Sequence, residues 1–209
     1  MPKGMMPRLF PIFLKLAGRR VLVVGAGKVA ECKIAGLLDT GAAIKVVALR
    51  ATEAVREWAH SGLIELEQRA FVTDDLRDHF LVVAAVSSPI LNELIFSEAQ
   101  RRGVLCNVVD VPEECDFFYP AVVQRGDLQI AISTSGQCPS LAQRLRQQLE
   151  KQFGPAYAEW VAELGATRRE VLKSSLTPEQ KRELLKSLAS RAAFEAVVAG
   201  QTLAKGDAA

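Results

Sequence analysis

Short apolar runs recur along the first half of the chain, and segments with the spacing of amphipathic helices separate them. Apolar runs of this length, bounded by glycine or polar residues, are typical of strands buried on both faces of a sheet. The predicted strands are residues 21–24, 44–48, 63–67, 81–86 and 104–108. The predicted helices are residues 29–38, 52–59 and 90–102. This alternation predicts an α/β fold, a Rossmann-like doubly wound parallel sheet with helices on both faces.

The pattern changes after Pro112. Residues 117–123 and 128–132 flank the turn sequence Arg125-Gly126-Asp127, which predicts a β-hairpin. Four helices are predicted to follow the hairpin. The first comes after Ser140 and ends at about residue 153, the second covers 155–174, the third begins at Thr177, and the fourth covers 192–203. The predicted domains are an α/β domain at residues 1–112, a small α+β unit at 113–153 and a helical C-terminal domain at 154–209.

Composition and charge narrow the classes of function. The 209 residues are 49% hydrophobic and 24% charged with a net charge of +2, which is too weakly basic to argue for nucleic acid. No apolar run approaches the roughly 20 residues that span a bilayer, and no secretion signal is visible, so we expect a cytoplasmic protein without a membrane segment. The four cysteines form no C-x-x-C pair and the two histidines lack zinc-ligand spacing, so no resident metal is expected.

The clearest chemical signal is Gly25-Ala26-Gly27-Lys28-Val29-Ala30, which follows a predicted strand and opens a predicted helix. In this context a G-x-G-x-x-G/A match indicates a dinucleotide fold. Gly25 suits the tight turn, the missing Cβ of Gly27 lets a pyrophosphate approach the backbone, and Ala30 lets the helix pack on the strand. The N–H groups at the helix start favour an anion. The alternative is a strand–helix turn that binds no ligand.

The end of the second predicted strand bears on the choice of cofactor. NAD-binding folds usually carry Asp or Glu there, which accepts a hydrogen bond from the ribose 2′-hydroxyl. Here the sequence is Val47-Ala48-Leu49-Arg50, without an acid. Arg50 could meet the 2′-phosphate of NADP, could cover the adenine together with Leu49, or could be an ordinary surface residue. The residues by themselves predict a dinucleotide of either type.

The fifth predicted strand ends in Asn107-Val108-Val109-Asp110. Ligands of doubly wound sheets bind outside the carboxyl ends of the strands, so Asp110 is expected beside the nicotinamide position. Removing a hydride from a substrate also releases a proton, and a carboxylate there could accept it. Asn107 could hydrogen-bond the cofactor or orient Asp110. The alternative is that Asp110 only starts a turn, because Val111-Pro112 follows.

The segment between residues 133 and 140 leads into a predicted helix and is rich in hydrogen-bond donors. A donor-rich loop at a helix N-terminus suits carboxylates or phosphates, although it is also what a capped helix with a polar lead-in looks like. The helix adds Arg144 and Arg146. The candidate substrate-binding residues are Ser133, Thr134, Ser135, Gly136, Ser140 and Arg144.

The order and spacing of several stretches carry a family resemblance over about residues 9 to 150. These stretches are Phe10-Pro11-Ile12-Phe13-Leu14, Gly25-Ala26-Gly27-Lys28-Val29-Ala30, Asn107-Val108-Val109-Asp110, Cys115-Asp116-Phe117 with Pro120-Ala121-Val122-Val123, and Ala131-Ile132-Ser133-Thr134-Ser135-Gly136 with Pro139-Ser140-Leu141-Ala142. Together they resemble the NAD-dependent precorrin-2 dehydrogenases, which include sirohydrochlorin ferrochelatases and the N-terminal module of sirohaem synthase. The family often has three consecutive glycines where this chain has Gly25-Ala26-Gly27.

The resemblance implies oxidation of precorrin-2 to sirohydrochlorin with NAD⁺ and, in some members, insertion of Fe²⁺ to give sirohaem. It makes Asp110 the catalytic carboxylate and Thr134 the expected hydroxyl on the tetrapyrrole side. The missing ribose acid is normal in the family, which favours NAD over NADP. It also implies a homodimer, with residues 113–153 forming much of the interface. The cofactor contacts would fall on Gly25, Ala26, Gly27, Lys28, Val29, Leu49, Arg50, Asn107 and Val108.

Three other functions compete with this interpretation, and the sequence argues against two of them. A redox-sensing regulator would bind the dinucleotide without catalysis and would need no acid. A short-chain dehydrogenase would carry Tyr-x-x-x-Lys, but Val123 and Val161 stand at that spacing from Tyr119 and Tyr157. A DNA-binding role for the helix with Arg144 lacks a second basic element.

Overall fold

The computed structural model describes residues 8–199. The chain divides into two compact units, Met1–Phe118 and Tyr119–Ala209, and each is described by itself. The predicted three-part division into 1–112, 113–153 and 154–209 stays a prediction. In the part of the chain that the structure describes, no helix is both long and apolar enough to cross a membrane.

The first unit is built on a five-stranded parallel sheet with strand order β3-β2-β1-β4-β5. The strands are β1 (Arg20–Val24), β2 (Ala43–Val47), β3 (Glu65–Glu67), β4 (Leu81–Ala84) and β5 (Leu105–Val108). The helices are α1 (Lys28–Leu38), α2 (Glu53–His60) and α3 (Pro89–Arg102). This topology confirms the predicted Rossmann-like doubly wound sheet.

Strand β1 is covered on both faces, as its uninterrupted apolar sequence requires. Val21 and Val23 lie in one core cluster, which includes Ile34 of α1. Leu22 and Val24 lie in the other, which includes Ile95 of α3. Successive side chains of a strand point to opposite faces, so α1 and α3 cover opposite faces of the sheet.

Two predicted strands of this unit differ from the structure by two residues at one end. Strand β4 was predicted to residue 86, but it ends at Ala84. Strand β3 was predicted from residue 63, but it begins at Glu65. The N–H of Leu63 donates to the carbonyl oxygen of Trp58 at 2.9 Å, so it belongs to the turn that ends α2. The predicted glycines after the helices are confirmed, because Gly41, Gly62 and Gly103 follow helical stretches with positive φ.

The second unit begins with an antiparallel hairpin of β6 (Ala121–Arg125) and β7 (Leu128–Ile132). The first hairpin strand was predicted from residue 117 and starts later, after Pro120, which has no N–H to donate to a ladder. Four helices follow: α4 (Pro139–Gln152), α5 (Ala156–Lys173), α6 (Pro178–Leu188) and α7 (Arg191–Val198). The predicted continuation of the last helix to 203 lies outside the described residues.

An aromatic cluster ties α5 to α7 in this unit. The ring centroids of Tyr157 and Phe194 lie 4.2 Å apart, and those of Trp160 and Phe194 lie 5.1 Å apart. The predicted capping box at the start of α6 is confirmed. The Thr177 hydroxyl accepts from the N–H of Gln180, and the Gln180 side chain accepts from the N–H of Thr177 at 2.9 Å.

Candidate functional site

The segments that follow four strands of the first unit meet at one edge of the sheet. Val24 lies opposite both Val47 and Ala84, and Ala84 lies opposite Val108 in the parallel register. Strands β2 and β3 lie on one side of β1, and β4 and β5 lie on the other. The strand order therefore reverses between β1 and β4, and doubly wound sheets bind their ligands at such a switch point.

Gly25 makes the first turn of this crevice, and only glycine fits there. Its φ is +107°, and a Cβ on it would lie 2.3 Å from the carbonyl oxygen of Ala85. Its N–H donates to the carbonyl oxygen of Val47 at 2.9 Å. The turn is therefore fixed between the ends of β2 and β4.

Gly27 leaves open space at the start of α1. It is the N-cap of this helix, no side chain caps it, and a Cβ on it would meet no atom within 4 Å. The first N–H groups of a helix have no partner within the helix. Ala30 is fully buried, as expected for the residue that lets the helix approach the strand. The geometry fits a pyrophosphate against the helix N-terminus.

Lys28 and Val29 flank this open space. The Lys28 ammonium lies 3.1 Å from Oε1 of Glu31. Hydrogen bonds from the Thr52 hydroxyl and from Lys28 lower the pKa of the Glu31 carboxyl, so this acid is ionised at neutral pH. The Val29 side chain is about half exposed. Lys28 therefore neutralises an acid at a helix terminus that suits an anion.

Leu49 and Arg50 follow β2 and are exposed, Leu49 by 74%. Arg50 makes no hydrogen bond or ion pair with any residue between 8 and 199. Glu67, at the end of the neighbouring strand β3, is paired with Lys45 and Arg69. The exposed Leu49 and Arg50 therefore suit either NAD or NADP.

Sequence reasoning missed Asn92, which lies in the first turn of α3 beside the same edge. Its side chain is 7% exposed and its Nδ2 donates to the carbonyl oxygen of Val86 at 3.5 Å. Its Oδ1 is buried without a hydrogen-bond partner among the described residues. Buried polar atoms are nearly always paired, so this oxygen is a candidate acceptor for a cofactor group. Only the fold brings it to the crevice, since in sequence it is one asparagine in a helix.

Asp110 occupies a turn directly after β5. The N–H of Val111 donates to the carbonyl oxygen of Val108 at 3.2 Å, and Asp110 has a φ of +64°. Asp is one of the few residues with a side chain that tolerate this conformation. Its carboxylate is exposed and accepts no hydrogen bond from residues 8–199. Asp110 is thus a turn residue with an exposed carboxylate at the end of β5, and its role as a proton acceptor stays a prediction.

Lys33 of α1 is a second residue that sequence reasoning missed. It is half-buried, and burial lowers the pKa of its ammonium, while the negative charge of Asp110 opposes this effect. A cation thus lies within electrostatic range of the Asp110 carboxylate. The only sequence signal is a lysine inside the apolar spacing of Ala30, Ile34 and Leu37.

Asn107 holds the chain that follows this turn. Its side chain is buried, and its Nδ2 donates to the carbonyl oxygen of Phe117 at 2.8 Å. The Cys115 thiol donates to the carbonyl oxygens of Val108 and Val111 on either side of Asp110. The Val108 side chain is buried in the core, so only its backbone could meet a ligand. Contacts of Asn107 and Val108 with the cofactor stay predictions.

The donor-rich segment lies in the second unit, between β7 and α4. The Ser133 hydroxyl accepts from the N–H of Ser135 at 3.1 Å, and the Thr134 hydroxyl accepts from the N–H of Cys138 at 3.1 Å. Ser135 and Gly136 have positive φ, which turns the chain into α4. No side chain caps this helix, and Ser140 in its first turn is exposed. The hydroxyl protons of Ser133 and Thr134 are left to donate.

The two arginines of α4 differ. Arg146 is engaged, because its guanidinium donates to Oε1 of Glu150 at 2.5 Å and to Gln143. Arg144 is exposed and makes no hydrogen bond or ion pair with the described residues. Of this pair, Arg144 therefore has the uncommitted guanidinium, and its contact with a substrate stays a prediction.

The sheet topology and the glycine turn define a dinucleotide-binding protein of the Rossmann type. Residues 12–121 match the model of an NAD(P)-binding family, and residues 125–152 match the model of the central part of a sirohaem biosynthesis protein. The chain belongs to this NAD(P)-binding family.

Comparison with individual proteins gives a more specific similarity than the family models do. The chain is 36% identical to a siroheme synthase of Nitrosococcus oceani over 91% of its own length and 41% of that relative's. It is 40% identical to siroheme synthase 1 of Serratia proteamaculans over 92% of its length and 40% of that relative's. The chain thus spans about two fifths of these relatives.

A solved structure covers nearly the whole chain. It is titled "SirC, precorrin-2 dehydrogenase" and aligns with a TM-score of 0.79 and 28% identity, over 91% of this chain and 94% of that one. The resemblance to the precorrin-2 dehydrogenase family is confirmed by these comparisons.

Proposed function

We propose that this chain is a dehydrogenase that oxidises precorrin-2 to sirohydrochlorin with NAD⁺, in the synthesis of sirohaem. The observation that carries the proposal is the alignment with a solved precorrin-2 dehydrogenase over almost the full length of both chains. The overall step removes one hydride and one proton from precorrin-2, and yields sirohydrochlorin, NADH and H⁺.

The first unit supplies the cofactor site. Gly25, Ala26 and Gly27 form the turn, and the open space at Gly27 admits the pyrophosphate to the N–H groups of α1. Leu49 and Arg50 would cover the adenine end. When bound, the nicotinamide supplies the hydride acceptor. NAD is the proposed cofactor, and the uncommitted guanidinium of Arg50 is the feature that could admit NADP instead.

Asp110 is the proposed proton acceptor. Its carboxylate is exposed at the edge of the sheet and is engaged by no hydrogen-bond donor of the described residues. A positioned carboxylate that accepts the proton released with the hydride accelerates such a step by about 10²–10⁴-fold. The ammonium of Lys33 lies within electrostatic range of this carboxylate.

The second unit offers groups that suit a polycarboxylate macrocycle. We assign the hydroxyls of Ser133, Thr134 and Ser140 and the guanidinium of Arg144 to the acetate and propionate arms of the substrate. The helix N-terminus behind them has no side-chain cap, so it also favours an anion.

Fe²⁺ and a second copy of the chain are the remaining proposed partners. Iron would be a substrate, with Asp110 taking up pyrrole protons as the ion enters the macrocycle. A homodimer is supported by apolar side chains of the second unit that are exposed in the single chain, among them Leu141 at 44% and Val122 at 37%. Light scattering at micromolar concentration tests the dimer.

Cofactor choice is tested by titrating the purified full chain with NAD⁺ and with NADP⁺ and following protein fluorescence. The proposal expects tighter binding of NAD⁺ than of NADP⁺, and an Arg50→Gln variant that keeps this preference. Tighter binding of NADP⁺ that Arg50→Gln abolishes would replace NAD by NADP in this proposal.

A further inference from the structure

Two adjoining cavities lie at the amino end of the sheet, opposite the dinucleotide turn. Their volumes are about 320 and 470 Å³, and both are lined by Arg20, Lys45 and His79. Arg20 begins β1, and Gly25 follows the end of this strand. At about 3.3 Å per residue, roughly 16 Å of strand separates the two places. A ligand here would not share contacts with a dinucleotide at the other end.

His79 is the unusual residue of these cavities. Its side chain is 8% exposed, and its Nδ1 lies 3.0 Å from the carbonyl oxygen of Arg77. A carbonyl oxygen only accepts, so Nδ1 carries the proton and donates it. Its Nε2 is buried and has no hydrogen-bond partner among residues 8–199. Buried polar nitrogens are nearly always paired, so an imidazole in this state is unexplained by the protein alone.

Most of the charges around His79 are already paired with one another. Lys45 pairs with Glu67 at 2.6 Å and with Glu65 at 3.5 Å. Arg69 pairs with Asp75, and Arg77 pairs with Asp74 at 2.8 Å. Two charged groups of the cavity lining are left, the Arg20 guanidinium and the Asp78 carboxylate, which form no ion pair or hydrogen bond with the described residues.

Burial and two neighbouring cations disfavour the protonated form of His79. Burial lowers the pKa of His79 most, and the charges of Arg20 and Lys45 lower it further, whereas the hydrogen bond to the carbonyl oxygen of Arg77 and the charge of Asp75 raise it. An anion bound here would offset the unpaired charge of Arg20 and would favour a proton on Nε2. Nε2 would then change from an acceptor without a partner to a donor toward the anion.

We propose that the cavity lined by Arg20, Lys45 and His79 is a binding site for a small tetrahedral oxyanion, a sulfate or phosphate group. The Arg20 guanidinium donates to two of its oxygens and protonated His79 donates from Nε2, while Lys45 stays paired with Glu67 and Glu65. Binding and protonation of His79 are coupled, so the affinity rises as the pH falls from 8 to 6. Sulfate is the appropriate probe, because its own charge stays constant over this range.

The test follows the imidazole nitrogens by NMR in the ¹⁵N-labelled full chain. The chain has two histidines, and the exposed His60 of α2 is an internal control. Sodium sulfate is titrated against sodium chloride at equal ionic strength. We expect saturable movement of the His79 Nε2 resonance toward the protonated position, with His60 unchanged. Equal movement of both histidines, or none, would overturn the proposal.

Two arginine variants distinguish a specific anion-binding site from non-specific electrostatic attraction. Arg20→Gln should weaken sulfate binding at least tenfold, because it removes the free guanidinium. Arg19→Gln is the matched control, since this neighbouring guanidinium lies over the Phe80 ring at 5.0 Å and does not line the cavities. Equal losses in both variants would contradict the site.

The source of the anion is tested by comparing inorganic phosphate with AMP. A response to phosphate similar to that of sulfate supports a free anion, and tighter binding of AMP supports the phosphate group of a nucleotide.

Discussion

The carbonyl oxygen of Ala85 lies 2.3 Å from the position that a Cβ atom on Gly25 would occupy. The two residues follow adjacent parallel strands, so the turn at Gly25 is packed directly against the segment after β4. Two places away, Gly27 has no neighbour within 4 Å of the corresponding position. The first glycine is required by the fold, and the second is required only if a ligand approaches.

Substituting these two glycines separates stability from binding. Gly25→Ala should lower the free energy of unfolding by about 1–3 kcal/mol, because alanine must adopt a strained φ and meet a backbone oxygen. Gly27→Ala should unfold at the wild-type temperature but bind NAD⁺ at least tenfold more weakly. Thermal melts and cofactor titrations measure both. A Gly27→Ala protein with unchanged affinity would mean that no pyrophosphate contacts this turn.

Changing Asp110 tests the proton acceptor without disturbing its turn. Asn also tolerates positive φ, so Asp110→Asn should fold normally and bind NAD⁺ within about twofold of wild type. Its kcat with precorrin-2 should fall by about 10²–10⁴-fold. Asp127→Asn, in the exposed hairpin turn, is the matched control and should leave kcat unchanged. Full turnover by Asp110→Asn would exclude this role.

Local signals in the sequence were sufficient for the glycine turn and for the capping box of Thr177 and Gln180, because each depends on residues a few positions apart. The same reasoning could not show that the Asn107 amide binds Phe117 or that Lys33 lies near Asp110. These contacts join residues that are distant in sequence, and no local pattern encodes them. The start of β6 was predicted wrongly for a different reason, since the apolar residues 117–119 resemble a strand but precede Pro120, which cannot donate to a ladder.

Lys33 is predicted to act through Asp110 as a positioning residue, because its half-buried ammonium interacts electrostatically with that carboxylate. Lys33→Gln should lower kcat, and Lys33→Arg, which keeps the charge, should restore it. In the Asp110→Asn background, Lys33→Gln should have little further effect on kcat, since residues that act together are not additive. Lys15→Gln, at an exposed position, is the control and should leave kcat unchanged. An equal loss of kcat from Lys33→Gln in both backgrounds would instead indicate a purely structural residue.

Asp75 links stability to pH in the first unit. Burial raises the pKa of its carboxyl, but hydrogen bonds from Arg69 and from the N–H of Val72 outweigh this and hold the pKa below its ordinary value. The ionised Asp75 carboxylate therefore adds to the free energy of unfolding above its ordinary pKa of about 4, and this contribution is lost as the pH falls through the lowered pKa. Asp75→Asn should lower Tm at pH 7, and its difference from wild type should shrink below pH 4.

The neighbouring Asp74 is the control for that experiment. Its side chain is 60% exposed and pairs with Arg77 at the surface, where ion pairs contribute little to stability. Asp74→Asn should change Tm by no more than about 2 °C over the same pH range. Circular dichroism melts of both variants from pH 7 to pH 2 make the comparison, and equal effects of the two substitutions would contradict the assigned role of Asp75.

The central claim is NAD⁺-dependent oxidation of precorrin-2, and an anaerobic absorbance assay with the purified chain tests it most directly. Precorrin-2 is supplied with NAD⁺ and, in a parallel cuvette, with NADP⁺; Fe²⁺ is added after the reaction is complete. The account predicts the spectrum of sirohydrochlorin with equimolar NADH in the NAD⁺ cuvette. Folded protein that binds NAD⁺ but turns over precorrin-2 with neither nucleotide would contradict it and would favour a regulatory dinucleotide-binding protein.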